Sequence, residues 1–263
     1  YLKYCFAHSV RCYVSPKISD IILMGSERIH LFDTPLLVSR NMGLAVDQRA
    51  AKRVMDILIS GIGIIITSPI MLIIAIAVKA YDRGPVFYFQ DRLTLGGKPF
   101  KICKFRSMCV DSEKNGARLA SKHDSRITPV GHVLRNLHLD ELPQLFNVFK
   151  GDMSLVGPRP ERESIMLEYE KELPEFYYRL KVKAGLTGYA QVYGKYNTTP
   201  YDKLKLDLFY IENYSFLLDI KLIFMTVKIF FQKEVSEGVD DRQVNALKDS
   251  GKNAGVSENK TEE

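Results

Sequence analysis

The residues best equipped for chemistry are Asp140 and Glu141, set in the stretch Leu134-Arg135-Asn136-Leu137-His138-Leu139-Asp140-Glu141-Leu142-Pro143-Gln144. Proline is tolerated in the first turn of a helix, where its missing N–H has no intrahelical partner to lose. Pro143 therefore predicts a helix that begins near residues 138–140, with both acids at its N-terminus. The free N–H groups and the positive dipole end at that position stabilise carboxylates and bind phosphate. Two readings stay open on the residues alone. The pair either caps the helix and does nothing more, or works on a ligand.

A second stretch, Gly151-Asp152-Met153-Ser154-Leu155-Val156-Gly157-Pro158-Arg159-Pro160-Glu161, holds an arginine between two prolines. Such an arginine cannot lie inside a helix, and its backbone is extended and stiff. Its planar fork suits bidentate binding of phosphate or carboxylate, whether a ligand's or a neighbouring acid's. A third stretch, Lys183-Ala184-Gly185-Leu186-Thr187-Gly188-Tyr189-Ala190-Gln191-Val192, has two glycines that permit a tight backbone path close to a ligand. Taken alone it is a plain loop.

The elements that position these residues follow from hydrophobic patterning. Residues 57–78 are 22 consecutive uncharged residues, mostly Ile, Leu and Val. A helix of that length crosses a hydrocarbon core of about 30 Å. Ser68-Pro69 lies in its middle, where a proline removes a backbone hydrogen bond and bends a helix. Both flanks are basic: Lys52 and Arg53 before it, then Lys79, Arg83, Arg92, Lys98, Lys101, Lys104 and Arg106 after it. The positive-inside tendency places both ends on the cytosolic side. A kinked re-entrant helix satisfies both facts, with a single spanning helix as the alternative.

After it, Val86–Gln90 and Phe100–Met108 are predicted strands joined by a turn at Gly96-Gly97. Residues 130–149 carry helical periodicity, closed by Gly151. A helix is expected within 161–183, and 216–231 is an apolar helix for either the core or the membrane interface. Val10–Val14 and Ile29–Phe32 are predicted short strands, with a turn at Asp33-Thr34-Pro35. Residues 1–46 thus look like the end of a preceding domain and its linker. Residues 235–263, with four Lys/Arg against seven Asp/Glu and few apolar side chains, are expected to be disordered.

A chain of 263 residues with 46% hydrophobic content sustains one sizeable core. Its net charge of +6 and pI near 9.0 favour an anionic partner: lipid, phosphorylated substrate or nucleic acid. The apolar run argues against the nucleic-acid choice. Cys5, Cys12, Cys103 and Cys109 form no C-x-x-C pair, which points to reduced thiols rather than a zinc site or a disulfide scaffold.

The three stretches occur in order, with Lys52-Arg53-Val54-Met55-Asp56 before the hydrophobic run and Lys104-Phe105-Arg106-Ser107-Met108 after it. Together, over about residues 50–233, they resemble the bacterial sugar transferase family of monotopic polyprenyl-phosphate sugar-1-phosphate transferases. The block Asp140 to Pro160 carries most of the likeness. The first 46 residues resemble the end of the nucleotide-fold domain that precedes the catalytic part in longer members. The resemblance implies an α/β (α+β) fold: a compact membrane domain over 47–234 with a re-entrant helix kinked at Ser68 and Pro69, a small β-hairpin and amphipathic interfacial helices.

It also implies roles. Asp140 matches the nucleophile that forms a covalent phospho-sugar intermediate, and Glu141 its neighbour in magnesium or proton handling; the two together are the expected Mg2+ ligands. Arg159, Arg135 and Lys104 match basic positions at the substrate phosphates, and Lys183 and Gln191 of the matching glycine-rich loop are expected to bind the substrate phosphates as well. That loop departs from the family: Lys183-Ala184 stands where Arg-Pro is common, and Lys195 where Arg is common, so charge is kept without bidentate geometry. The implied reaction moves hexose-1-phosphate, of glucose or galactose first, from a UDP-sugar to undecaprenyl phosphate at the cytosolic face of the inner membrane. UMP leaves, and exopolysaccharide, capsule or O-antigen synthesis begins. An N-acetylated UDP-sugar and a catalytically inactive membrane scaffold are the alternatives. The partners implied are the UDP-sugar, undecaprenyl phosphate and membrane lipid, with no nucleic acid; homo-oligomerisation is open.

Overall fold

The computed structural model describes residues 1–39, 43–110, 124–194 and 198–230. Tyr1–Asn41 forms one compact unit, and the chain from Met42 onward a second.

The first unit holds α1 (Leu2–Ala7), α2 (Ile18–Met24) and an antiparallel hairpin of β1 (Glu27–Leu31) and β2 (Thr34–Val38). The strand expected at 29–32 is present. The turn is at Phe32-Asp33, where Phe32 has φ 53°, and Thr34-Pro35 belongs to β2. The strand expected at Val10–Val14 is irregular. Every hairpin residue is exposed.

The second unit mixes helices with small two-stranded sheets, as expected. It begins with α3 (Val46–Asp82), an uninterrupted helix of 37 residues, about 55 Å long at about 1.5 Å per residue. Pro69 lies inside it without ending it. The hydroxyl of Ser68 donates to the Ile65 carbonyl at 2.8 Å, the acceptor that Pro69 leaves without an N–H. Met55, Met71, Ile74 and Val78 are buried, while Leu58, Ile62, Ile65, Ile66, Leu72, Ile73 and Ile76 are exposed. By length and composition, this helix is able to cross a membrane.

β3 (Phe87–Leu93) and β4 (Pro99–Phe105) pair antiparallel across Gly96 and Gly97, both at positive φ. The free edge of β4 is closed by one side chain. Asn147 accepts from Cys103 N–H at 2.9 Å and donates to the Lys101 carbonyl at 2.8 Å. The helical periodicity of 130–149 is realised in three pieces, not one. α4 (Pro129–Asn136) is followed by a 3₁₀ turn at Leu139–Glu141 and then by α5 (Gln144–Lys150). Pro143 cannot donate to Leu139, so Leu142 N–H takes that carbonyl in an i→i−3 bond at 3.3 Å. His138, at φ 52°, reverses the chain between α4 and the turn. Gly151 at φ 101° ends α5, as the sequence predicts.

β5 (Ser154–Val156) pairs in parallel with β6 (Gly185–Thr187). The glycine-rich stretch is therefore part of a short sheet, and its close approach is to backbone: a Cβ on Gly185 would lie 2.1 Å from Gly157 N. The helix expected within 161–183 is α6 (Glu163–Glu172), which gives way at Pro174 to a 3₁₀ segment, Pro174–Lys181. α7 (Tyr189–Tyr193), α8 (Pro200–Glu212) and α9 (Phe216–Phe230) complete the unit. α9 divides the two readings of its sequence. Asp219 and Leu222 are buried, while Leu217, Phe224 and Val227 are exposed. Lys195 and the acidic 235–263 segment lie outside the described residues.

The motif before the apolar run is wholly structural in its contacts. Lys52 pairs with Asp219 at 2.5 Å and donates to Tyr210 Oη at 3.1 Å. Arg53 donates to the carbonyls of Val148 and Phe149 at 2.8 and 2.7 Å. Asp56 accepts from Ser154 Oγ and Leu155 N–H, each at 3.0 Å. The N-terminal half of α3 is thereby bound to α9, α5 and β5. Its C-terminal half packs Met71, Ile74 and Val78 against Phe105 of β4 and Leu134 of α4. Leu139 and Leu142 join this cluster from either side of Asp140 and Glu141, so the core holds the acidic turn in place.

The approach of α4 to the strand pair requires a glycine, since a Cβ on Gly131 would lie 1.9 Å from the Ser107 carbonyl oxygen. Gly131→Ala is expected to destabilise the fold by about 1–3 kcal/mol, the usual cost of overpacking. Thermal unfolding followed by circular dichroism checks this; an unchanged midpoint would contradict the contact.

Candidate functional site

Three segments distant in sequence bring their charges together at Glu141. The 3₁₀ turn presents Asp140 and Glu141. Lys104, next to last in β4, reaches Glu141 Oε1 at 2.6 Å. Arg159 reaches the same oxygen through Nη2 at 3.0 Å. Glu141 is mostly buried, with a side chain 17% exposed, whereas Arg159 remains 46% exposed. Burial by itself would raise the Glu141 carboxyl; Arg159 and Lys104 outweigh it and hold the group well below the ordinary carboxylate range. Glu141 in turn raises the Arg159 guanidinium.

Asp140 behaves oppositely. Burial pushes its carboxyl up, Lys104 opposes that, the Glu141 charge adds to it, and Arg135 in the last turn of α4 opposes it again. No hydrogen bond ties its carboxylate among the described residues. The two neighbouring acids are thus driven apart: Glu141 is locked as an anion between two cations, and Asp140 is left with cations near but none bound.

Arg159 has the stiff setting that its flanking prolines predict. Gly157 N–H donates to the Thr187 carbonyl at 2.8 Å, and the Pro158 carbonyl accepts from Gly185 N–H at 2.9 Å. The Arg159 carbonyl accepts from Arg179 Nη2 at 3.0 Å, and the Pro160 carbonyl from Arg92 Nη1 at 3.1 Å. The Glu161 carbonyl accepts from Leu93 N–H at 3.1 Å. Beneath this segment lies an ionic cluster. Arg179, almost fully buried, faces Asp207 of α8 at 2.8 Å and Glu161 at 3.4 Å. Glu161 also pairs with Lys203. Burial opposes ionisation of Glu161, but Lys203 and Arg179 prevail and bring it to about 2. Removing Arg179 would leave the buried Asp207 without its ion-pair partner, at about 3–5 kcal/mol.

The structure therefore brings together Asp140, Glu141, Lys104 and Arg159, with Arg135 within electrostatic reach. It does not bring in Lys183 or Gln191. The Lys183 ammonium donates to the Gly151 carbonyl at 2.8 Å, beside Arg53, where the two cations satisfy the C-terminal carbonyls of α5. Gln191 donates to the Leu186 carbonyl at 3.1 Å and braces the β6 turn. Arg179, Glu161, Asp207, Arg92 and Lys203 escaped the sequence reading. Glu161 lay within a quoted motif, but its partners stand 18 and 42 residues away. No periodicity links them.

Among the described residues, no group of three or more His, Cys, Asp or Glu could hold a metal by themselves. The donor set at the site is two adjacent carboxylates, with Asp140 uncommitted and Glu141 using only Oε1. Magnesium takes hard oxygen ligands and commonly binds through one or two carboxylates together with substrate phosphates. The pair fits a magnesium ion shared with a phosphorylated ligand.

Residues 47–233 match the family model for bacterial sugar transferases. A relative from Aeromonas hydrophila, named UDP-N-acetylgalactosamine-undecaprenyl-phosphate N-acetylgalactosaminephosphotransferase, is 46% identical over 67% of this chain and 43% of its own length. The Klebsiella pneumoniae UDP-glucose:undecaprenyl-phosphate glucose-1-phosphate transferase is 43% identical over 77% of this chain and 43% of its own length. A Caulobacter vibrioides protein of the same name is 37% identical over 82% of this chain and 84% of its own. The chain spans under half the length of the first two relatives. With the match running from the head of α3 through α9 and including every member of the Asp140–Glu141–Lys104–Arg159 cluster, the chain belongs to the bacterial sugar transferase family.

Proposed function

We propose that this chain is the catalytic part of a membrane enzyme that transfers a sugar 1-phosphate from a UDP-sugar to undecaprenyl phosphate, with Asp140 as nucleophile. One observation carries the reading: of the two adjacent acids, Glu141 is neutralised by Lys104 and Arg159, while Asp140 is half-buried and its carboxylate is not hydrogen-bonded among the described residues. A carboxylate committed to no partner is free to act as a nucleophile.

In the first step an Asp140 oxygen attacks the sugar-bearing phosphorus. The phosphoanhydride bond to the other phosphate breaks, and UMP leaves with the electron pair. In the second step an oxygen of undecaprenyl phosphate attacks the same phosphorus, and the Asp140 carboxylate is released. One anhydride is broken and one is made, so the overall change in free energy is small. The obstacle is the approach of an anion to an anion. Arg159 and Lys104 offset that repulsion and orient the phosphates, and Arg135 adds positive potential near Asp140. Magnesium held by Asp140 and Glu141 would neutralise further phosphate charge.

The donor is a UDP-hexose, glucose or galactose first. The name of the Aeromonas hydrophila relative favours the N-acetylated alternative, and those of the other two favour glucose. In the proposed topology, 57–78 enters and leaves the cytosolic leaflet of the inner membrane with its bend at Ser68-Pro69. Exposed apolar side chains on α5 and α9, such as Phe149 and Phe224, rest at the interface. The exposed aliphatic face of α3 supports this, as does the hydroxyl that serves the carbonyl Pro69 leaves open.

Cysteines introduced at Arg49 and Tyr81 are expected to react with an impermeant reagent from the cytosolic side alone; labelling of the two from opposite sides would establish a spanning helix. With labelled UDP-hexoses, undecaprenyl phosphate and magnesium, label enters the organic phase. Asp140→Asn reduces this to background without loss of membrane association, and chelation by EDTA stops it. Substantial turnover by Asp140→Asn would refute the nucleophile, and transfer that persists in EDTA would refute the metal. Lys104 lowers the Asp140 carboxyl, so Lys104→Met raises it, and the acid at which transfer begins shifts to higher pH. An onset at unchanged pH would show that Asp140 does not titrate in the reaction.

A further inference from the structure

The side chain of Arg159 is 46% exposed and is held at its tip by Glu141 at 3.0 Å. Its aim also depends on the backbone that carries it, and residue 159 lies outside any helix or strand. Among the described residues, the Arg159 carbonyl accepts from the side chain of Arg179. We propose that Arg179 is a positioning residue, which sets the direction of Arg159 toward Glu141 and the donor phosphates by clamping the Arg159 main chain. This rests on the transferase reading of the site.

Geometry supports the assignment in three ways. Arg179 holds Nη2 3.0 Å from the Arg159 carbonyl and 2.8 Å from Asp207, and Nη1 3.4 Å from Glu161. A planar guanidinium carries these two nitrogens in one fixed fork, which a lysine ammonium lacks. Its own position is fixed as well. The guanidinium carbon lies 4.9 Å from the centre of the Phe176 ring, and both side chains are almost wholly buried. Finally, its acidic partners come from opposite ends of the problem. Glu161 lies two residues beyond Arg159 in the same segment, whereas Asp207 sits on α8, whose Lys203 also pairs with Glu161. Arg179 thus ties the phosphate-facing loop to a rigid helix. An apolar side chain would fill the same space without the cost of burying charge, but it would leave the carbonyl unheld.

The test compares Arg179→Lys, Arg159→Lys and the double variant in the transfer assay, with thermal unfolding measured on each. Displacement of Arg159 by an ångström or less is expected to lower transfer by about 10–100-fold in Arg179→Lys. In the Arg159→Lys background, the same change should add less than about twofold, because the fork being aimed is already gone. Effects that multiply in full would assign Arg179 a structural role and overturn the proposal. A second readout needs no activity: the guanidinium resonance of Arg159, identified by its loss in Arg159→Lys, should shift in Arg179→Lys. An unmoved resonance overturns the proposal. Should Arg179→Lys fail to fold, Asp207→Asn removes the helix-borne partner and is expected to show the same pattern more weakly; its absence counts against the proposal. A wild-type chain without transfer would end the transferase reading, and the resonance then decides this inference alone.

Discussion

A single carboxylate oxygen, Glu141 Oε1, receives one nitrogen from Lys104 of β4 and another from Arg159 of the Pro-Arg-Pro segment. Strand, turn and loop meet at that atom, and each is held by different means on its other side. Strand β4 is completed by Asn147, a side chain that substitutes for a missing neighbouring strand. The turn is pinned by Leu139 and Leu142 in the core beneath α3. The loop is fixed by backbone bonds from β6, β3 and Arg179. An ion pair of this kind contributes little on an exposed surface, but a mostly buried carboxylate makes both cations obligatory. The arrangement thus turns Glu141 into a fixed countercharge and leaves Asp140 as the group able to act.

The interior of the second unit is unusually ionic for a chain with such an apolar helix. Lys52 with Asp219 and Arg179 with Asp207 are buried pairs, and Arg106, itself buried, meets the more exposed Asp82 at the end of α3. Small sheets cannot supply enough apolar area to fix register over this distance, and buried charge pairs are directional where apolar contact is not. The three pairs tie α3 at both ends and α8 in the middle. The outward face of α3 is left to aliphatic side chains, with no protein over Ile65, Ile66 or Ile73. Polar contacts orient the catalytic side, and the apolar face is free to meet lipid.

The strain in the site is local and modest. His138 in the left-handed region costs on the order of 1–3 kcal/mol, and it is the reversal that lets the chain leave α4 and present both acids at once. Pro143 then separates the turn from α5, so residues 130–149 do not run as the single helix that their apolar spacing describes.

Much of this was legible without coordinates. The long apolar helix, the hairpin at Gly96-Gly97 and the cap at Gly151 follow from local rules, because each depends on neighbours in sequence, whereas the grouping of Asp140, Glu141, Lys104 and Arg159 was implied by the resemblance to the bacterial sugar transferase family. The ionic cluster under Arg159, the parallel pairing of β5 with β6, the role of Asn147 and the place of Lys183 at a helix end rest on contacts between residues up to 46 positions apart. A one-dimensional pattern carries no distance between such residues. Only the fold places the Gly151 carbonyl within hydrogen-bond reach of the Lys183 ammonium, a contact between residues 32 positions apart that no local rule predicts.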